Sequence, residues 1–401
     1  MQMKNFIFIS PNFPENYWEF CVELKNDGLN VLGIGDAPYG ELKSELKNAL
    51  TEYYKVSSLE NYDEVYRAVA FFAFKYGKID YLESNNEYWL ERDSHLRDDF
   101  NICSGFKSAQ IGAVKYKSKM KEYYTKAGIP VARYYLVEDM EGALKFIEEV
   151  GYPVIAKPDN GVGANNTYKI KNKKELEAFF EKKEKDVIYI MEEFIYGTVN
   201  SYDAIVDSKG NPLFETGNVT LDSLVDVVNT RGNSSFYIRK ELPEDIRNAG
   251  RATLKSFGVK SRFVHFEFFR LTKNMKGLGK KNDVIALEVN MRPSGGISPS
   301  MMNYAHSTSV YKIYADMIAF DTTSISDSGK HANCAFAGRR YDKKYKLDHY
   351  AIYEKYSKNM IFDCPVQEAL SGAMGDYMYV ANFDTEKELT AFYKDVFEPG
   401  E

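Results

Sequence analysis

Hydrophobic positions in the first hundred residues switch between short apolar runs and helical stripes. Phe6–Ile9, Asn30–Gly35 and Ile79–Glu83 are apolar runs of strand length. Between them, residues 15–26, 41–50 and 61–76 carry apolar residues at helical spacing. Strand–helix alternation of this kind predicts a parallel sheet. The first strand is followed by SPNFPENY and not by a Gly-x-Gly-x-x-Gly loop, so Gly33, Gly35 and Asp36 read as turn residues, not a dinucleotide site. Asn85, Asn86 and Glu87 follow the third strand, where open α/β sheets place ligands.

A period of two takes over near residue 262. In RFVHFEFFRL and DVIALEVNMRPSGG, apolar residues alternate with Glu267 in the first segment and with Glu288, Asn290 and Arg292 in the second. The Gly- and Lys-rich stretch between them predicts an antiparallel hairpin that sets Glu267 opposite Glu288. Like charges across a ladder are destabilising, so the pattern points to a bound cation. Two carboxylates and an amide favour a hard ion such as Mg²⁺ over zinc. His265, on the same hairpin, reads as structural.

Residues 115–121 carry a lysine at every second position, which on one helix would fan around a solvated face. Gly128 and Pro130 end that helix. In PVIAKPDNGVGANNTYKI an apolar strand delivers Lys157 to a loop containing Gly161 and Gly163. Such loops expose amides that cradle phosphates, although the Walker ending is missing. VIYIMEEFIYG is a strand that turns acidic and then apolar, which suits an adenine slot. Residues 221–236 show no clear period and read as a loop over a site, and residues 304–320 read as one helix.

At 401 residues the chain has room for two to four domains at ~100–200 residues each. The hydrophobic content of 44% suits a globular protein with an ample core, and a net charge of −6 argues against nucleic acid as a main partner. The four cysteines are scattered without Cys-x-x-Cys spacing, which argues against a zinc site or disulfide framework and fits a cytoplasmic protein. The most apolar helical segment carries Arg67 and Lys75, so no membrane span is expected.

The order of these motifs resembles the ATP-grasp superfamily, and its carboxylate–amine (amino-acid) ligase and carbamoyl-phosphate-synthase-like branch in particular. Lysine before a Gly-x-Pro turn, lysine before a glycine loop, Glu-Glu-Phe-Ile, then Glu and Glu-x-Asn-x-Arg-Pro carry the likeness across about residues 115–320. The resemblance implies an α/β fold, α+β over the whole chain. Residues 1–106 would form a parallel-sheet pre-grasp domain. Residues 107–325 would form the ATP-grasp domain, its small lobe about 125–195 and its large lobe about 196–325. Residues 326–401 would be an α+β segment packed on that core.

By position, the resemblance makes Lys117 and Lys157 nucleotide lysines. Gly161, Val162, Gly163 and Ala164 match the phosphate loop, and Glu192, Glu193, Phe194 and Ile195 the adenine linker. Glu267, Glu288 and Asn290 match the ligands of Mg²⁺ (with Mn²⁺ as an alternative), and Arg292 the arginine beside the reacting phosphoryl group. Where the family often has an acid for the ribose, this chain has Val199, leaving Asn200 or Asp203 as substitutes. Arg231, Tyr237, Arg239, Ser294, Gly295 and Gly296 are further candidates for substrate contact. The implied activity is ATP-dependent joining of a carboxylate to an amine through an acyl phosphate. The alternatives are a carboxylase or other acyl-phosphate-forming enzyme, and a non-catalytic ATP-binding module. Small carboxylate and amine substrates, amino acids among them, and a homodimer follow from the same resemblance.

Overall fold

The structure, a computed structural model, describes residues 3–161, 166–221, 227 and 230–400. Strands β1 (Asn5–Ile9), β2 (Asn30–Gly35), β3 (Glu52–Lys55) and β4 (Tyr81–Glu83) form a parallel sheet in the order β3-β2-β1-β4. β3 was not anticipated, because Glu52–Lys55 is polar and only partly buried. The helix Tyr62–Tyr76 shows why the alternation works. Asn61 caps it by accepting from the Glu64 amide, Val65, Ala68, Val69 and Phe72 form its buried stripe, and Gly77 closes it at φ +85°. The strand order reverses between β1 and β4, so a crevice opens at their C-terminal ends.

Strands β5 (Tyr134–Leu136), β6 (Val154–Pro158), β7 (Tyr168–Ile170) and β8 (Tyr189–Glu193) form a second, antiparallel sheet in the order β5-β8-β6-β7. The helices Met140–Val150 and Lys173–Lys182 cover it with Phe146, Ile147, Leu176 and Phe179.

The third sheet has nine strands: β9 (Gly197–Val206), β10 (Pro212–Thr216), β11 (Asn218–Thr220), β12 (Ser234–Ile238), β13 (Arg262–Leu271), β14 (Val284–Asn290), β15 (Asn333–Arg339), β16 (Met360–Pro365) and β17 (Tyr377–Phe383). Its path runs β14-β13-β9-β11-β12-β15-β17-β16, with β10 on β9. Three strands of the C-terminal segment therefore extend the sheet that carries the carboxylate hairpin.

Two sequence expectations fail here. Residues 234–238 are a strand paired on both edges, not a loop. The helix expected over 304–320 is two helices, Ser298–His306 and Val310–Phe320, broken where Ser307 enters the left-handed region at φ 47°. Among the described residues no helix is long and apolar enough to cross a membrane.

Candidate active site

The hairpin β13–β14 has Glu267 paired with Glu288 and His265 with Asn290. β9 continues both rows, with Ser201 beside Glu267 and Asp203 beside His265. Strand alternation thus puts two carboxylates, an imidazole and an amide on one face. The opposite face buries Val264, Phe266 and Phe268 in a core with Tyr124 and Tyr202.

His265 is more than structural filling. Its Nδ1 lies 2.8 Å from Asp203 Oδ1 and its Nε2 3.2 Å from Glu267 Oε1. Burial works against its charged form, but Asp203 and Glu267 override that and raise its pKa to about 9. The sequence signal was its two-residue offset from Glu267 on the same strand face.

The lysines correct the solvated-face reading. Tyr116, at φ −93° and ψ 119°, breaks the expected helix into Ser108–Lys115 and Lys117–Lys126. Asp159 restarts it from a distance, accepting from the Ser118 amide and hydroxyl at 2.7 Å each. Lys117 and Lys121, one turn apart, then share a buried face. Each buried lysine of the stretch meets a carboxylate. Lys115 Nζ is 3.9 Å from Glu87, Lys117 Nζ 3.6 Å from Glu288, and Lys121 Nζ 2.5 Å from Glu192. Lys117 also donates to the Gly161 carbonyl at 2.8 Å. Lys119 alone keeps the outward role, its ammonium 5.0 Å from the Tyr116 ring.

Lys157 on β6 reaches Glu192 at 2.7 Å, so one carboxylate holds two lysines. Burial would raise the Glu192 carboxyl, but Lys121 and Lys157 overcome it and hold the pKa at about 2. Glu192 and Glu193, expected in the adenine linker, end β8. β8 is flanked by β5 and β6, where Glu192 pairs with Tyr134 and Ile155, and the Glu193 amide donates to the Arg133 carbonyl at 3.1 Å. The Glu193 side chain is clamped by the Arg133 guanidinium, at 2.8 Å from Nη2. Phe194 is half-buried under the Lys169 ammonium at 4.4 Å, and Ile195 packs with Ala132, Leu271 and Ile285. Val162, Gly163 and Ala164 lie outside the described residues.

Neither ribose substitute is placed for that contact. Asp203 is fully buried, with one oxygen on His265 and the other taking the Ser201 hydroxyl. Asn200 pairs with Phe268, on the far face of the sheet from Glu267, and its Oδ1 accepts from Arg239 at 2.9 Å. Val199 is the residue that shares the Glu267 face. Three substrate candidates make contacts of their own within the chain. Arg231 pairs with Asp342 and Asp376, Tyr237 is buried against Ala335 and Tyr379, and Arg239 is held by Asn200. The loop reading of residues 221–236 had hidden β12 and its commitments.

After β14 the chain turns through Arg292 to Gly296. Arg292 donates to the Pro293 carbonyl at 2.8 Å and to Asn290 Oδ1 at 3.2 Å, and its Nε stands 3.9 Å from Glu87. Ser294 is buried, Gly295 faces open space, and Gly296 adopts φ +60° against Met374. Glu87, Lys115, Lys117, Met120, Gly161, Glu288 and Asn290 line a polar cleft. Lys115, read from the sequence as part of a solvated face, is thus a cleft residue, and so is Glu87, which follows the strand end where ligands were expected.

Among the described residues no three His, Cys, Asp or Glu side chains form a metal cage by themselves. The donor set is instead two facing carboxylates with an adjacent amide. That fits an ion bound through one or two carboxylates, with phosphate oxygens filling its other positions.

Residues 117–296 match the family model described as an ATP-grasp domain. An L-arginine-specific L-amino acid ligase of Bacillus subtilis is 24% identical over 322 residues, covering 77% of this chain and 74% of that protein. Among solved structures, an L-amino acid ligase from Bacillus licheniformis superposes with a TM-score of 0.71 at 15% identity, covering 99% of this chain and 97% of the other. The biotin carboxylase domain of Hydrogenobacter thermophilus 2-oxoglutarate carboxylase, a dimer with magnesium ADP and bicarbonate, gives 0.66 at 14% identity, covering 99% and 90%. At these identities the structural matches show the fold. Residues 117–296, which match the ATP-grasp domain, hold the two lysines, the entry to the glycine loop and the facing carboxylate pair.

Proposed function

We propose that the protein is an ATP-dependent carboxylate–amine ligase, with amino acids as its substrates. The observation that carries this reading is the cleft lined by Lys117, Glu288 and Asn290, with Glu267 opposite Glu288 across the ladder and Arg292 3.9 Å from Glu87 of the same cleft. The relative named as an L-amino acid ligase supports the substrate class.

A carboxylate is a poor electrophile. Its oxygen attacks the γ-phosphorus of ATP, ADP leaves, and the acyl phosphate formed has a good leaving group. The amine nitrogen then attacks the carbonyl carbon, the C–O bond to phosphate breaks, and the nitrogen loses a proton. Phosphoryl transfer of this kind is mostly positioning and charge neutralisation. Lys117 and Lys157 bring positive charge to the phosphates, and Lys117 ties the start of the glycine loop to the hairpin. Arg292 offers the guanidinium that steadies the transferred phosphoryl group and the tetrahedral oxyanion. Phe194 and Ile195 give the base its apolar walls. Glu267, Glu288 and Asn290 would hold Mg²⁺, with His265 orienting Glu267. The ion would supply neutralisation of the phosphate charge.

The test is incubation with ATP, Mg²⁺ and pools of amino acids, reading ADP and product mass. ADP formation that requires a carboxylate and yields a condensed product is expected. Tight ATP binding without turnover in any pool contradicts the reading and favours a binding module.

A further inference from the structure

The established likeness concerns the nucleotide and the hairpin, and it leaves the N-terminal sheet without a chemical task. The order β3-β2-β1-β4 puts the topological switch point between β1 and β4, and ligands of open parallel sheets lie in that crevice. Two residues leaving those strands, Ser10 and Asn85, sit at positive φ, 56° and 51°. Tyr17, from the loop after β1, donates to the Asn85 carbonyl at 2.7 Å and bridges the crevice.

Glu87 stands two residues further on. It is 7% exposed, lines the same cleft as Lys117 and Glu288, and its Oε2 has no hydrogen-bond partner among the described residues. Its nearest cations, the Lys115 ammonium and the Arg292 guanidinium, stand at 3.9 Å, beyond hydrogen-bond reach of its carboxylate. Lys115 spends its short contact on the Glu87 carbonyl, at 2.9 Å. Burial pushes the Glu87 carboxyl upward, and Arg292 and Lys115 pull it back. A buried carboxylate oxygen that accepts no hydrogen bond is costly, so a hydrogen-bonding cation that completes this one is favoured. Ser294 Oγ, on the Arg292 turn, is likewise buried without a partner among the described residues.

We propose that Glu87 binds the α-ammonium group of the amino acid whose carboxylate is activated, so that the enzyme takes α-amino acids and not simple carboxylic acids as acyl donors. The inference rests on the ligase reading above and deepens it. In an α-amino acid the ammonium and carboxylate are separated by one carbon. A carboxylate held at Arg292 therefore carries its ammonium towards the carboxylate 3.9 Å from that guanidinium. A donor lacking the amine leaves Glu87 Oε2 buried without a hydrogen bond. Sites built around a polar group reject analogues lacking it far more strongly than apolar pockets discriminate a methylene.

The experiment measures ADP formation by the full chain with each of the twenty L-amino acids and with their des-amino carboxylic acid counterparts, comparing wild type, Glu87→Gln and Glu87→Asp. Wild type is expected to turn over at least one amino acid and to discriminate against its des-amino counterpart by about 10³-fold in kcat/KM. Glu87→Gln should raise the KM for that amino acid by about 10²-fold, leave the KM for ATP within about two-fold, and collapse the preference over the des-amino acid. Glu87→Asp should restore part of it. A merely structural Glu87 would depress all substrates and ATP together. Amino-acid turnover that is unchanged in Glu87→Gln, or equal wild-type turnover of the des-amino acids, overturns the assignment while the ligase reading stands. No ADP from any acid in wild type overturns both.

Discussion

Glu83 and Glu288 are buried or half-buried carboxylates that the fold uses to opposite ends. Glu83, at the end of β4, is saturated: Arg97 reaches it at 2.8 Å and Arg262 at 2.5 Å, all three side chains being buried. Arg262 comes from β13 and also donates to the Met291 carbonyl at 2.9 Å, so the triad ties the N-terminal sheet to the turn that carries Arg292. Glu288 faces Glu267 across the ladder, keeps 22% of its side chain exposed, and has only Lys117 within ion-pair range among the described residues. Charge that is fully matched within the chain holds the frame. Charge left incompletely matched faces the cleft, where a ligand completes it.

Breaking each side of this contrast should give different signatures. Glu83→Gln strands two buried guanidinium groups and should cost about 3–5 kcal/mol of stability, read as a lower denaturant midpoint. A midpoint within error of wild type would mean the triad is not a frame element. Glu288→Gln should leave the midpoint nearly unchanged and lower kcat by about 10²–10³-fold. An unaffected rate would remove Glu288 from the catalytic face. On the proposed function, Lys157→Met removes a charged contact to the nucleotide and should weaken ATP binding by about ten-fold or more, measured by calorimetry.

The smallest expected effect is on the acid side of the stability curve. The Glu192 carboxyl is held at about 2 in the fold, where Lys121 and Lys157 overcome its burial, against an ordinary value of 4.5. Its contribution is fully present above about pH 4.5 and is lost as pH falls towards 2, because the unfolded chain binds the proton first. Circular dichroism of chemical unfolding between pH 5 and 2 should show a shallower pH slope in Glu192→Gln than in wild type. Equal slopes would contradict the two-lysine account.

The same contrast explains what could be read from residues alone. The hairpin was legible because its period of two and the loop between its strands are local, and the pairing of Glu267 with Glu288 follows from them. The N-terminal sheet was legible for a similar reason, except for polar β3. The lysines were not. The break at Tyr116 depends on a cap supplied by Asp159, 41 residues from Ser118. His265 was undervalued because its charge depends on Asp203, 62 residues away on β9. Asn200 and Asp203 looked equally placed for a ribose until the register put one on the far face and buried the other. Local periodicity carries the frame, and long-range pairing decides which charges remain for chemistry.

The central claim is that a carboxylate is activated as an acyl phosphate in the Glu267–Glu288 cleft. Its most direct test supplies amino acids labelled with ¹⁸O in their carboxylates, together with ATP and Mg²⁺, and follows the label by mass spectrometry. The account predicts one labelled oxygen in the released inorganic phosphate for every amide formed, with ADP as the nucleotide product. Amide formation with unlabelled phosphate, or with label in AMP, would contradict it.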